Sequence, residues 1–321
     1  MKIYRLKILL TSLLLAGIWF LLPAEISAQK ASPVTDRTAN YSVGEGAEFS
    51  VFDGNFVWVA NQFSNTVTKL NAATGSIAGN YDVTGNPLGI AFDGRSIWVS
   101  RYASNDVVSL DRETGAVGVK VKAGKGPGFL LYDGKYLWVA NRTASTVQKI
   151  DPLTGQVDAT YAVGKRPAMM AYDGANVWVA NSQSKSVTRI NAADGTNKEF
   201  KLSGGSGAFG VVFDGSNIWV SNFFGGTIEK LSPGGQSLAV FRVGDGLAGM
   251  YYSNQHMWVA ANGDNLVYRV RLSDGAIVNR YQVSASPYGI LFDGQRFWTQ
   301  ASGARQVSAI TPATGDEAGH Q

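Results

Sequence analysis

Seven of the eight tryptophans in this 321-residue chain stand at Trp58, Trp98, Trp138, Trp178, Trp219, Trp258 and Trp298. The steps between them are 40, 40, 40, 41, 39 and 40 residues, and the same short phrase surrounds each one. Self-similarity at a fixed period marks a unit that cannot bury its own faces and must pack on its neighbours. A period of about 40 residues is that of a propeller blade. The expected architecture is therefore all-β, a seven-bladed propeller.

The second copy shows the unit: Gly89-Ile90-Ala91-Phe92, then Asp93-Gly94, then Ile97-Trp98-Val99-Ser100, a polar loop to Asn105, Val107-Val108-Ser109-Leu110, Thr114-Gly115, and Val117 to Val121. Short runs rich in β-branched and aromatic residues alternate with turn residues, so each copy is expected to form four antiparallel strands. Asp-Gly recurs at the first turn as Asp53-Gly54, Asp93-Gly94, Asp133-Gly134, Asp173-Gly174, Asp214-Gly215 and Asp293-Gly294, while the sixth copy has Ser253-Asn254. Six aspartates could suggest calcium, but a role repeated in nearly every blade is a turn role. The tryptophan follows the same logic. A residue present in all seven units is a packing residue between blades, not a stacking platform for one ligand.

The last copy lacks its outer strand, because only a turn and a polar tail follow Gln306 to Ile310. Ahead of the first copy stands Asn40-Tyr41-Ser42-Val43, which matches the outer-strand phrases Tyr81-Asp82-Val83 and Tyr161-Ala162-Val163. This segment is expected to complete the last blade and so close the ring, leaving no open sheet edge between the ends.

Lys2, Arg5 and Lys7 precede an apolar run from Ile8 to Leu22, then Pro23 and Ser27-Ala28. The pattern is that of a secretory signal peptide, and the run is shorter than the ~20 residues of a spanning helix. The expected organisation is signal peptide 1–28, polar leader 29–38, propeller 39–315 and polar tail 316–321. The mature protein is expected to be exported, periplasmic or extracellular, without a membrane span, and monomeric. Cysteine is absent, which excludes disulfides. Of 28 basic and 24 acidic side chains, 25 and 23 remain after cleavage at Ala28, a net charge of +2. That balance gives no support to nucleic-acid binding.

The phrases Trp58-Val59-Ala60-Asn61, Trp138-Val139-Ala140-Asn141, Trp178-Val179-Ala180-Asn181 and Trp219-Val220-Ser221-Asn222, with Ser64-Asn65-Thr66-Val67 and Thr74-Gly75, resemble the YVTN-type β-propeller repeat. The resemblance spans residues 41 to 315 and extends distantly to virginiamycin B (streptogramin B) lyase-like propellers. It implies a seven-bladed ring. For the lyases it also implies elimination chemistry by histidine and glutamate with magnesium on the funnel face. This chain departs from that pattern, having only His256 and His320. His256 belongs to the first turn of blade six, on the face opposite the loops that build such a site, and is expected to be an exposed turn residue. No Cys-His pair, nucleophile elbow or metal-ligand spacing is present in the sequence. No catalytic residue, metal or cofactor is assigned.

Function in a repeat protein is carried where copies differ. The loops between second and third strands, and between one blade's outer and the next blade's inner strand, share a face. They carry Arg101, Tyr102, Lys125, Arg142, Lys165, Arg166 and Lys185 from blades two to four, Phe223 and Phe224 from blade five, Asp245 and Asp264 from blade six, and Tyr288 from blade seven. Arg101 stands where four copies have asparagine. The candidate ligand-binding set is Arg101, Tyr102, Lys125, Arg142, Lys165, Arg166, Phe223, Phe224 and Tyr288, a basic, aromatic-flanked sector for an anionic or ring-bearing ligand. The expected function is non-catalytic binding of a protein, peptide, glycan or small ligand. The alternative is a lyase or hydrolase using the loop acids Glu45, Glu48, Asp245 and Asp264.

Overall fold

In the structure, a computed structural model that describes residues 34, 35 and 37–312, four strands lead outward from a central axis in each of seven blades. Blade one comprises Ala47–Phe52, Phe56–Asn61, Thr66–Asn71 and Ile77–Asp82. Blades two to six span 87–122, 127–162, 167–201, 208–242 and 247–282. Blade seven has inner strands Pro287–Phe292, Phe297–Ala301 and Gln306–Ile310. Its fourth strand is Thr38–Ser42, antiparallel to Gln306–Ile310 from Thr38 opposite Ile310 to Ser42 opposite Gln306. The inner strands adjoin around the whole ring, that of blade seven beside that of blade one. The proposed signal peptide, tail and His320 lie outside the described residues.

The aspartate of the first turn does two things. In blade two, Asp93 Oδ1 accepts the amides of Arg95 and Ser96 at 2.8 and 2.7 Å, while Oδ2 accepts the Trp98 indole N–H at 2.7 Å. The carboxylate-to-indole bond recurs in the other five Asp-Gly blades at 2.6 to 2.9 Å. Blade six, with Ser253, instead continues its inner strand to that residue and turns through Asn254 and Gln255, both at positive φ. That is the backbone of a tight two-residue hairpin.

Each indole is no more than 1% exposed. Trp98 packs with Leu137, Val139 and Ile150 of blade three, and Trp298 with Val57, Val59 and Leu70 of blade one, so each tryptophan fills the seam to the next blade. In six blades an outer-strand aromatic covers its other side, as where Tyr81 stacks on Trp58 at 5.5 Å and Tyr41 lies 5.5 Å from Trp298, while in blade two Val121 packs with Trp98. Tyr81 also rests on Gly115 of the next blade, where a Cβ would overlap the ring. The Thr-Gly turn thus needs glycine both for its φ of 72° and for this contact.

Two residues of the leader form a short strand. Val34–Thr35 pairs in parallel with the outer strand of blade six, Val34 opposite Arg280 and Thr35 opposite Tyr281. An outer strand has one unpaired edge, and any extended segment within reach satisfies it.

Candidate functional site

All seven inner strands share one irregularity. Near the second and third residues the register to the neighbouring strand slips, between Ala47 and Phe49 in blade one, Pro127 and Leu130 in blade three, and Pro287 and Ile290 in blade seven. A bulge redirects the side chains it carries. Here they meet on the axis: Phe49 lies 4.9 Å from Phe129 and 5.9 Å from Tyr288, and Phe209 lies 5.5 Å from Phe129 and 5.1 Å from Tyr288. Blades one, three, five and seven thus close the axis with four rings. Small residues alternate with them. At Gly289, beside Tyr288, a Cβ would come within 2.7 Å of the Glu48 carbonyl and 3.1 Å of the Phe49 ring. A cavity of about 160 Å³, lined largely by apolar residues including Met169, Met170 and Ile290, adjoins Phe49 and Phe129.

Two sets of loops form the rim on one face. The first residue of each loop after a second strand donates its amide to a carbonyl of the loop entering the same blade: Arg142 to Gly126 at 2.8 Å, Ser182 to Arg166 at 3.1 Å, Phe223 to Gly207 at 2.8 Å. The accepting residue is left-handed in every blade, and it is glycine in four of them, Asn86 and Ser286 in two. Blade four places Arg166 there, at φ 54°. A side chain in this conformation costs on the order of 1 kcal/mol, and here it carries a guanidinium to the rim.

Arg142 and Arg166 with Phe209, Phe223, Phe224, Tyr288 and Gln183 line a concavity of about 230 Å³. An adjoining depression of about 360 Å³ shares Arg142, Arg166 and Gln183 and adds Tyr102, Thr143, Ser145 and Lys165. The Arg142 guanidinium sits 5.1 Å from the centre of the Phe129 ring, a cation–π contact. Burial, and then repulsion from Arg166, hold Arg142 below its ordinary pKa. Burial pushes the Glu48 carboxyl up to about 6 against the opposing pull of Arg142. Tyr288 is raised by burial and then by Glu48. Among the described residues, the side chains of Arg142, Arg166 and Glu48 make no hydrogen bond or ion pair.

Seven of the nine residues singled out from sequence therefore line these two concavities: Tyr102, Arg142, Lys165, Arg166, Phe223, Phe224 and Tyr288. Arg101 and Lys125 line neither. Arg101 is clamped by Asp106, Nε to Oδ1 at 2.7 Å and Nη2 to Oδ2 at 2.8 Å, and its remaining nitrogen reaches the Thr84 carbonyl at 3.3 Å. The sibling pair Asn61 and Thr66 holds the same place by an amide-to-hydroxyl bond of 3.1 Å. Blade two has exchanged both partners, so Arg101 departs from its siblings for a reason internal to the blade. At Lys125 the main chain is engaged, its carbonyl accepting the amides of Thr143 and Ala144.

The four acids do not form one cluster: only Asp245 and Asp264 meet, the Asp264 carboxylate accepting the Asp245 amide at 2.8 Å. Glu45 pairs with Arg305, Asp245 with Arg242 at 2.6 Å, and Asp264 accepts the Tyr268 hydroxyl at 2.9 Å. Glu48 faces Arg142 and Tyr288 and belongs to the inner strand Ala47–Phe52, not to a loop. His256 is half-buried at the start of a blade-six strand, Nδ1–H donating to the Asn254 carbonyl at 2.7 Å, at the first-turn end of the blade. Among the described residues no three His, Cys, Asp or Glu side chains gather as a metal site would require.

No protein-family model matches the chain, and no curated protein matches it. Solved structures do. Virginiamycin B lyase from Staphylococcus aureus aligns with a TM-score of 0.75 at 18% identity, over 86% of this chain and 99% of that one. A streptogramin B lyase aligns at 0.74 and 18%, over 85% and 97%. Hydrazine synthase from Kuenenia stuttgartiensis aligns at 0.75 and 18%, also over 85% and 97%. At this identity the likeness carries architecture and not activity: the chain has the fold of the virginiamycin B lyase-like seven-bladed propellers.

Proposed function

We propose that this chain is an exported, non-catalytic binding propeller whose loop face takes an anionic ligand over the axis. The observation that carries this reading is the pair Arg142 and Arg166, which line the same hollow and whose side chains make no hydrogen bond or ion pair among the described residues. Repulsion between two cations at the edge of an aromatic-walled hollow is relieved by an anion placed between them. Export rests on the pattern of residues 1–28. The site is tested by titrating the protein with sodium acetate and inorganic phosphate in a calorimeter. Saturable heat that disappears in both Arg142→Gln and Arg166→Gln supports the reading, and no heat with either anion overturns it.

A second reading, a lyase or hydrolase without histidine, is supported by Glu48, whose raised pKa suits a general base. Two of the structural neighbours are lyases by name, and a cyclic depsipeptide is the corresponding substrate class. The other acids are engaged elsewhere, which favours binding. Chromatography of a streptogramin B-type depsipeptide incubated with the protein decides: a linearised product absent with Glu48→Gln would establish catalysis.

A further inference from the structure

The hollow at Arg142 and Arg166 is not equally polar along its length. At one end stand Phe209, Phe223, Phe224 and Tyr288. Phe223 and Phe224 meet edge to face with centroids 5.2 Å apart, Phe223 and Tyr288 are tilted by 42° at 6.2 Å, and Phe224 is 78% exposed. Mutually tilted rings form a corner with uncovered faces, which suits a flat ring better than a puckered one. At about 230 Å³ this end is smaller than the ~300 Å³ lower bound of sites for drug-sized ligands, so it suits a single ring. Charge favours an anion there. Arg142 faces one carboxylate, Glu48, while Arg166 lines the same hollow beside it and Lys165 the adjoining depression, so the cations outnumber the carboxylate that faces them.

We infer that the ligand is an aryl monocarboxylate, its ring lodged in the Phe223–Phe224–Tyr288 corner and its carboxylate held by the Arg142 and Arg166 guanidiniums. This rests on the anion-binding reading above and names the class of anion. The second depression, toward Lys165 and Tyr102, leaves room for a polar substituent on the far side of the arginines.

The test is calorimetry on the full chain with benzoate, phenylacetate, cyclohexanecarboxylate, acetate, benzyl alcohol and inorganic phosphate. The expected order places benzoate or phenylacetate about tenfold tighter than acetate, with benzyl alcohol unbound. Phe224→Ala, at an exposed position, should erase the advantage of benzoate and phenylacetate over acetate. Three results would overturn the inference while sparing the anion site: acetate binding as tightly as benzoate, cyclohexanecarboxylate matching benzoate, or phosphate exceeding both aryl acids. If no anion binds at all, the proposed function fails together with it.

Discussion

The Asp133 carboxylate accepts the Trp138 indole N–H at 2.7 Å while its second oxygen caps the turn through the amides of Lys135 and Tyr136. One side chain therefore couples a hairpin to the residue that fills the seam between blades. The same arrangement in six blades explains why the aspartate precedes the tryptophan by five residues each time.

Asp133→Ala removes three hydrogen bonds, one of them to a buried indole. Unfolding in urea should show a loss of about 2–3 kcal/mol. Asp133→Asn retains an acceptor and should lose less. Equal stability of the alanine variant and the parent would show that the turn holds without the carboxylate.

The Arg101–Asp106 pair is predicted to be replaceable only as a pair. Arg101→Asn leaves a buried carboxylate with Lys120 alone, 3.2 Å away, and should cost about 3 kcal/mol. Adding Asp106→Thr restores the arrangement of blade one and should recover most of that loss. A double-mutant cycle measures the coupling, and additive losses would contradict it.

Glu48 gives the protein a defined pH dependence. Its folded pKa, about 6, lies above the ordinary 4.5, so the folded state binds this proton more tightly than the unfolded one. The stabilising contribution is complete below the ordinary value and is lost as pH rises through about 6, by at most about 2 kcal/mol. Glu48→Gln should flatten this part of the stability curve and raise the melting temperature at pH 8. Protonation also removes the negative charge facing Arg142, so affinity for acetate should rise as pH falls from 7 to 5.5. An unchanged affinity across that range would separate Glu48 from the site.

Closure of the ring depends on Tyr41. Its ring lies against Trp298, its hydroxyl accepts a bond from Arg296 at 3.3 Å, and it covers Gly75 of blade one. Tyr41 is half-buried, so Tyr41→Ala should destabilise by about 2 kcal/mol, below the range for emptying a fully buried aromatic site. Limited proteolysis should then cut first within residues 38–43. Uniform cleavage around the ring would argue against this seam as the weakest one.

What was legible in the residues is whatever repeats or completes a repeat. Trp58 and its six equivalents announce the blades, Asp-Gly announces the first turn, and Asn40 to Val43 announces the closing strand, because local periodicity and turn chemistry act within a few residues of themselves. Loop residues such as Arg142, Arg166 and Phe224 were recognisable as departures from their siblings. Glu48 reads as a loop acid, and Phe49, Phe129 and Phe209 are overlooked, because all four occupy the bulge, and an apolar inner strand does not reveal that its second and third side chains turn to the axis. Yet those two positions vary from blade to blade, Glu48-Phe49, Gly128-Phe129, Phe209-Gly210, Tyr288-Gly289, and that variation was the available signal.

The chain by itself determined the number of blades, their turns and the way the ring closes. Only the tertiary structure decided that Arg101 is sealed within its own blade while Arg142, from blade three, meets Arg166 from blade four and Tyr288 from blade seven. The physical reason is distance along the chain. A repeat is written in neighbouring residues, whereas the hollow is assembled from side chains up to 146 positions apart that approach one another only when the ring closes.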